Sequence, residues 1–451
     1  MWSYWKLHKY PILIVIGSIL LYAGFAYDLR REDFIKLITL VAALFILLIK
    51  LIQFEKWNTK LLLAAGLLFR LVFLLAEPNL SQDFYRFIWD GELIKNGINP
   101  YLFTPDHLIE SGEIAIANAR ELHEGMGELS ARNFSNYPPF NQVFFALAAL
   151  FGGNNILGSV VVMRLFIIAA DVGTLYFGRN LLLKLNKSNH LIFWYFLNPL
   201  VIIELTGNLH FEGIMIFFFV WAMFLATNTK WTWAAPIYAL SILLKLIPLL
   251  FLPMFIKFMG VKKSLLFYLL IGIASILLLW PFYSDTFIGN YSQTVGLWFS
   301  NFEFNAGIYN AVKKIAVLHF ETKPWELVKT YGSYIPLATL LMAFIVTLIG
   351  KNQHLNTLIG SMLFLLTFYY FIATTVHPWY IIFVLFLGVL IEYKFVIFWS
   401  ALVFMSYFAY SNPDYNESLW VLAIEYSLVF MYLGYEIFKK QKLKLLFQKN
   451  L

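Results

Sequence analysis

Apolar positions dominate this chain in runs longer than a soluble helix needs, and polar positions gather in the gaps between those runs. A helix crosses the hydrocarbon core with about 20 mainly apolar residues. Runs of that kind cover roughly residues 11–27, 34–53, 60–76, 156–183, 189–206, 211–228, 264–282, 333–350, 355–376, 379–393, 395–410 and 418–437. Two further apolar stretches break the pattern. Residues 234–257 are interrupted by Pro236, Pro248 and Pro253, and residues 140–151 are too short to cross comfortably. The pattern predicts an all-α integral membrane protein, a polytopic bundle of about 12–14 transmembrane helices.

Basic residues set the orientation, because cytoplasmic loops carry the excess of Lys and Arg. With Lys6 and Lys9 inside, the third span leaves the membrane near Glu77. A long first loop, about 77–139, is then extracytoplasmic. Residues 140–151 dip in without crossing. The 234–257 stretch becomes a pair of short helices meeting near Lys245 and Pro248. Lys184, Lys187, the run "KFMGVKK" (Lys257 to Lys263), Lys351, Lys394 and the tail "KKQKLKLLFQK" fall inside, and both termini are cytoplasmic. Every cluster of motif-like polar residues falls on the opposite face. The first two spans, with few polar residues, read as a helix pair over residues 1–57 ahead of a module over 58–451.

Composition agrees. Of 451 residues, 61% are hydrophobic and 13% charged, with mean hydropathy +0.72; a soluble domain carries about 25% charged residues. The absence of cysteine excludes disulfides and Cys-based metal or redox sites. The net charge of +7 belongs to membrane-edge clusters and implies no nucleic acid. There is no phosphate-cradling P-loop and no G-x-G-x-x-G after a strand, so a soluble nucleotide donor is not indicated. The substrate is expected to arrive within the membrane.

The densest chemistry is "SQDFYRFIWDGELIKNGINPYLF" (Ser81 to Phe103) in the first loop. A helix over Gln82–Leu93 places Asp83, Arg86 and Asp90 on one face. Tyr85 and Trp89 form an adjacent aromatic edge suited to the headgroup level. Such a helix suits catalysis on a lipid-borne substrate; the alternative is an interfacial helix whose Asp and Arg only pair with each other. Asn96-Gly97 and Asn99-Pro100 then turn the chain. "NYPPF" (Asn136 to Phe140) brings it back, and Tyr101 and Tyr137 are candidates to line a pocket. "GNLHFEG" holds His210 and Glu212 near the outer end of two spans, where ionisable groups are expensive and usually functional. "LLKLIPLL" puts Lys245 beside a helix break, a good place for a phosphate, with snorkelling as the structural alternative. "TTVHPWY" sets His377 before Trp379 and Tyr380, a candidate contact to phosphate or a sugar hydroxyl. "NFEFN" (Asn301 to Asn305) has no role that the sequence assigns. Arg70 and Arg164 fall in spans, and Asp171 shares a helix face with Arg164, which suggests a structural pair.

These residues resemble the bacterial polyprenyl-phosphate-mannose-type mannosyltransferases of the GT-C superfamily, relatives of the glycosylphosphatidylinositol mannosyltransferases. The resemblance runs from about Leu61 to the C-terminus. It is carried by Ser-x-Asp-x-Tyr-Arg-x-x-Trp-Asp-Gly with Asn-Pro-Tyr, then by "YPPF", "KLIP" and "HPWY". Where the family typically has Ser-Asp-Asp, Gln82 replaces the first Asp, which concentrates the catalytic expectation on Asp83. The resemblance implies a GT-C-type bundle with interfacial helices in its first loop, in the bacterial inner membrane. It implies transfer of a sugar, by default mannose, from a polyprenyl-phosphate donor to a hydroxyl of a glycolipid, polysaccharide or protein, with inversion and no divalent metal. Asp83 would be the general base. Arg86, Lys245 and His377 would face the departing phosphate, with Asp90, Tyr101, Tyr137, His210, Glu212 and Tyr380 as further substrate contacts. A transporter or flippase of a lipid-linked sugar, or a non-catalytic scaffold, are the competing classes. Charge gathered on one face rather than at the midplane between repeats argues against the transporter.

Overall fold

The computed structural model describes residues 2–112 and 116–449. Residues 113–115 of the long loop lie outside the described residues. So do the side chains of Lys6 and of the basic tail beyond Gln441, on which part of the expected orientation rests. Apart from one isolated bridge between Phe304 and Thr375, every regular element among the described residues is helical.

Two long helices open the chain, α1 (Trp2–Asp28) and α2 (Phe34–Glu55). Then comes α3 (Thr59–Val72), whose start is fixed by Asn58 accepting from the Leu61 N–H at 3.2 Å. The first long loop carries α4 (Asp83–Lys95), α5 (Pro105–Ser111) and α6 (Ala119–Ala131), and the Pro138-Pro139 pair opens α7 (Pro139–Phe151). Next follow α8 (Ile156–Lys184), the single turn α9 (Phe193–Phe196), a π-helical segment Val201–Gly207, α10 (Glu212–Thr227) and α11 (Trp231–Ile242). A 3₁₀ segment Ile247–Met254 leads to α12 (Phe255–Met259) and α13 (Val261–Leu279). A second long loop holds α14 (Phe287–Ser300) and α15 (Gly307–Phe320). The chain closes with α16 (Pro324–Ile349), α17 (Leu355–Ile372), α18 (Ile381–Leu390), α19 (Phe395–Leu402) and α20 (Leu419–Lys449).

This is a polytopic all-α membrane protein. Among the described residues, seven helices are long and apolar enough to cross a bilayer: α1, α2, α8, α13 with its short extension to Phe282, α16, α17 and α20. The other expected spans are helical but short or broken. The run over 189–206 is no single span, because its two halves meet at 58° around Leu197–Leu200. The expected break in 234–257 falls at Leu243–Leu246, with Lys245 outside any helix, and α7 stays short over Pro139–Phe151. Broken backbone at membrane depth is tolerated where it is packed inside protein, and here the breaks lie in the interior. Every residue of α18 is buried, whereas α13 buries only Ser264, Phe267 and Ile271 and turns the rest outward.

The first-loop helix departs from the expectation of an interfacial helix. Helix α4 packs between α6 and α7 and is buried over most of its length. Trp89 is fully enclosed instead of lying at the headgroup level, and Phe87 stacks on Phe145 of α7 with ring centroids 4.6 Å apart. The reason is Gly91. A Cβ there would lie 2.2 Å from the Phe145 carbonyl oxygen, so only glycine lets the two helices approach this closely. Gly91→Ala is expected to force α4 and α7 apart at a cost of about 1–3 kcal/mol, read as a lower unfolding temperature of the purified protein.

Candidate functional site

Three breaks in the helical pattern converge on one pocket of charge. The first is the entry to α4, where Asp83 is the first helical residue and its N–H donates to Ser81 Oγ at 3.3 Å. Its half-buried carboxylate has no hydrogen-bond or ion-pair partner among the described residues. Burial pushes the Asp83 carboxyl above the usual carboxylate range; Lys245 and Arg31 hold it down in part, and Glu212 pushes it up. Tyr137, Tyr380 and Tyr410 all lie within electrostatic reach of it.

The second break is the π-helical segment Val201–Gly207 and the turn after it. π-Helical turns inside helical runs often mark functional sites. The fully buried Glu204 sits in this one. Its carboxylate accepts from Tyr407 Oη at 2.8 Å and from Asn208 Nδ2 at 3.2 Å. Asn208 Oδ1 in turn accepts from the Leu80 N–H at 3.2 Å, which ties this turn to the strand of chain leading into Asp83. Leu209 has φ +62°, a left-handed conformation costing about 1–2 kcal/mol for such a side chain. That turn places His210 with Nε2 3.6 Å from Glu204, and then Glu212 at the start of α10.

The third break supplies Lys245. Its Nζ lies 2.9 Å from Glu212 Oε1 and 5.7 Å from the Tyr137 ring centroid. The 377–380 turn closes the site from the other side. Trp379 stacks on His210 with centroids 3.6 Å apart and on His377 at 4.4 Å, while Tyr380 stacks on Tyr370. Burial drives His210 well below the usual histidine range and His377 down to about 3, with nearby cations adding to both shifts. Both imidazoles are therefore neutral near pH 7. They can donate one hydrogen bond each but bring no positive charge.

Arg164 braces this arrangement. Its guanidinium donates to the Thr206 and Gly207 carbonyls at 2.7 and 2.9 Å and to Leu74 and Ala76 at 3.0 and 2.7 Å. One side chain thus joins the end of the π-helical segment to the chain approaching Asp83. Arg164 does not pair with Asp171 as the shared face suggested. Two helical turns separate them, about 10.5 Å along the axis, and Asp171 instead holds Arg70 at 2.8 Å.

With the geometry in place, the comparison with known proteins is direct. Residues 33–261 match the family model described as alpha-(1->6)-mannopyranosyltransferase, N-terminal domain, just over half of the chain. The chain belongs to this family. Over 144 residues it is 24% identical to the alpha-(1->6)-mannopyranosyltransferase A of Mycobacterium tuberculosis, a match covering 32% of this chain and 26% of that relative. The mannopyranosyltransferase match takes in Asp83, Tyr137, His210, Glu212 and Lys245. It begins at residue 33, so α2, read from sequence as part of an added pair, lies inside it.

Of the expected site residues, the structure brings Asp83, Tyr137, His210, Glu212, Lys245, His377 and Tyr380 together. Three others are held in hydrogen bonds among the loop helices and α7. Arg86 donates to Asp90 at 2.7 Å and to the Ser130 and Asn133 carbonyls at 2.6 and 3.0 Å. Asp90 is completed by Ser135 at 2.5 Å and Gln142 at 3.0 Å. Together they fasten the end of α6, the loop beyond it and the start of α7 to α4. Tyr101 is buried, with its hydroxyl donating to the Tyr137 carbonyl at 2.5 Å. The segment "NFEFN" acquires a place: the bridge to Thr375 sets Phe304 on His377, with ring centroids 4.9 Å apart.

Two residues at the site went unnoticed in the sequence. One is Glu204, a lone carboxylate in the apolar run "VIIELTG", and its cost at that depth was the available signal. The other is Arg31, in the turn between α1 and α2. Its guanidinium lies over the Tyr410 ring, 3.4 Å from the centroid, its Nε has no hydrogen-bond partner, and its charge reaches Asp83, Glu204, His210 and His377. The turn gets there because α1 and α2 pack on α3 and on the 403–411 segment, with Phe34 against Phe408 at 5.2 Å.

Proposed function

We propose that this chain is a membrane glycosyltransferase that moves a sugar, by family membership mannose, from a polyprenyl-phosphate donor to an acceptor hydroxyl on the extracytoplasmic face. The observation that carries the reading is Asp83, an unpartnered carboxylate within the matched segment, with two cations in electrostatic reach. The acceptor oxygen attacks the anomeric carbon from the side opposite the phosphate, and its proton passes to the Asp83 carboxylate. The bond from the anomeric carbon to the phosphate oxygen breaks, and polyprenyl phosphate leaves with the electron pair. One displacement inverts the anomeric centre. A positioned base contributes typically 10²–10⁴-fold. Lys245 and Arg31 would face the charge that grows on the phosphate. Neutral His210 and His377 would donate single hydrogen bonds to sugar or phosphate oxygens, and the tyrosines would border the sugar. The acceptor is a hydroxyl of a glycolipid, polysaccharide or protein, and the membrane is the bacterial inner membrane.

The test uses the purified full chain in liposomes with polyprenyl-phosphate mannose labelled in the sugar and a membrane glycolipid extract. Release of polyprenyl phosphate with transfer of label, and an inverted anomeric linkage in the product, are expected. Binding of the donor with neither release nor transfer, across several polyprenyl-phosphate sugars, would refute the reading in favour of a carrier of the lipid-linked sugar.

The same site predicts a pH profile. The base works deprotonated, and burial raises its pKa. Activity should therefore fall, as pH drops, at a higher pH than an exposed aspartate would set. Removing a cation raises that pKa further and removing Glu212 lowers it. In kcat/KM measured between about pH 4 and 8, Lys245→Met should move the acid limb upward and Glu212→Gln downward. A limb that stays put in both variants would separate it from Asp83.

A further inference from the structure

One cavity in the protein lies well away from this site. About 480 Å³ in volume, it opens at the other end of the bundle, between the end of α8, the α10–α11 turn, the α12–α13 junction and the start of α17. Helix α10 measures the separation. It starts at Glu212 in the candidate site and ends at Thr227 on the cavity wall, 15 residues further on, or about 22 Å.

We propose that this cavity binds the phosphate headgroup of an anionic membrane lipid. Lys184 and Lys263 both line it, with Thr227, Thr229 and Trp231 between them, and no carboxylate is among the lining residues. Neither lysine has an ion-pair partner among the described residues, in contrast to the neighbouring Lys187, which lies 3.3 Å from Glu392. The helix dipole accounts for Lys184, a cation in the last turn of α8. It works against Lys263, which stands in the first turn of α13, where a cation is disfavoured. An anion between the two lysines repairs that placement.

The surroundings select a lipid over a soluble phosphate ester. Helix α13 rises from the cavity with Val261, Leu265, Leu266 and Leu269 exposed along it, an apolar face that acyl chains of the same molecule would cover. Trp233, on the first turn of α11 and 71% exposed, sits where tryptophans gather at the headgroup level. The volume falls within the range of about 300–1,000 Å³ typical of small-molecule sites.

The test is independent of sugar transfer. Full-length protein purified in a neutral detergent is titrated with phosphatidylglycerol or phosphatidylcholine, and bound lipid is counted by native mass spectrometry. Near a membrane surface each lysine is worth about a fivefold gain for an anionic lipid, so wild type should prefer phosphatidylglycerol by roughly 25-fold. The double variant Lys184→Gln/Lys263→Gln should lose that preference. Lys262→Gln, one residue away and outside the lining, should keep it. A wild type without preference, or a double variant that retains it, overturns the proposal. The soluble headgroup separates the two sources of phosphate. If sn-glycerol 3-phosphate displaces phosphatidylglycerol at an equal concentration, the acyl chains contribute nothing and the lipid assignment fails; a large excess requirement supports it.

Discussion

Asp83→Asn is expected to lower turnover by about 10²–10⁴-fold while leaving the protein folded. Asparagine keeps the shape of the side chain and can still face the acceptor hydroxyl, but it cannot take the proton. The loss should therefore appear in kcat, with KM for the donor nearly unchanged, the pattern of an interaction made only in the transition state. Stability gives a second readout of opposite sign. The Asp83 carboxylate is half-buried without a partner, and burial already disfavours its charged form. Removing that charge should hold the unfolding temperature level or raise it, as when a site built for activity is relieved of its strain. A variant that is inactive because it is misfolded would show a lowered unfolding temperature. Full turnover by Asp83→Asn would remove Asp83 from the chemistry, and the base would have to be sought elsewhere at the site.

What the sequence disclosed, and what it withheld, follows from the range of the physics involved. The helical runs were readable because about 20 apolar residues in a row have few other uses, and the break at Lys245 was readable because Pro248 and a lone cation coincide there. Asp83, His210, Glu212 and Lys245 stood out for a similar reason, since ionisable groups are scarce in such a chain. Partnership was not readable. Arg86 and Asp90 are four residues apart, a spacing that serves an active site or an ion pair equally well. Their hydrogen-bond partners are remote in sequence: Ser130 at the end of α6, Asn133 and Ser135 beyond it, and Gln142 in α7. Asp171 was assigned to Arg164 by local periodicity, yet it pairs with Arg70, 101 residues earlier. Arg31 was the hardest to see. Its turn lies more than 50 residues before Asp83 in the chain, and only the packing of α1 and α2 on α3 and the 403–411 segment brings it back.

Arg31→Gln is the second large effect expected. Among the cations proposed to meet the phosphate, Lys245 is already paired with Glu212, and Arg86 gives Nε and Nη1 to Asp90 and two carbonyls, leaves Nη2 unpartnered and is not among the charges that act on Asp83. His377 is neutral, its pKa held down to about 3 by burial. Arg31, whose Nε has no hydrogen-bond partner, is the arginine whose charge reaches Asp83. A donor aimed at charge that develops in the transition state is worth typically 10²–10³-fold in kcat, and a loss of that order is expected. Its signature differs from that of Asp83→Asn. Without Arg31 the Asp83 carboxyl rises further, so the acid limb of kcat/KM should move to higher pH, whereas Asp83→Asn should abolish the limb. Arg31→Lys should recover part of the rate, because the charge returns without the planar fork that lies over Tyr410. A purely structural role would give equal losses for Gln and Lys, an unmoved limb and a lower unfolding temperature. That combination would return the phosphate to Lys245 alone. A moved limb with partial rescue by lysine would place the turn between the first two helices in the reaction, joining a segment ahead of the matched region to the chemistry within it.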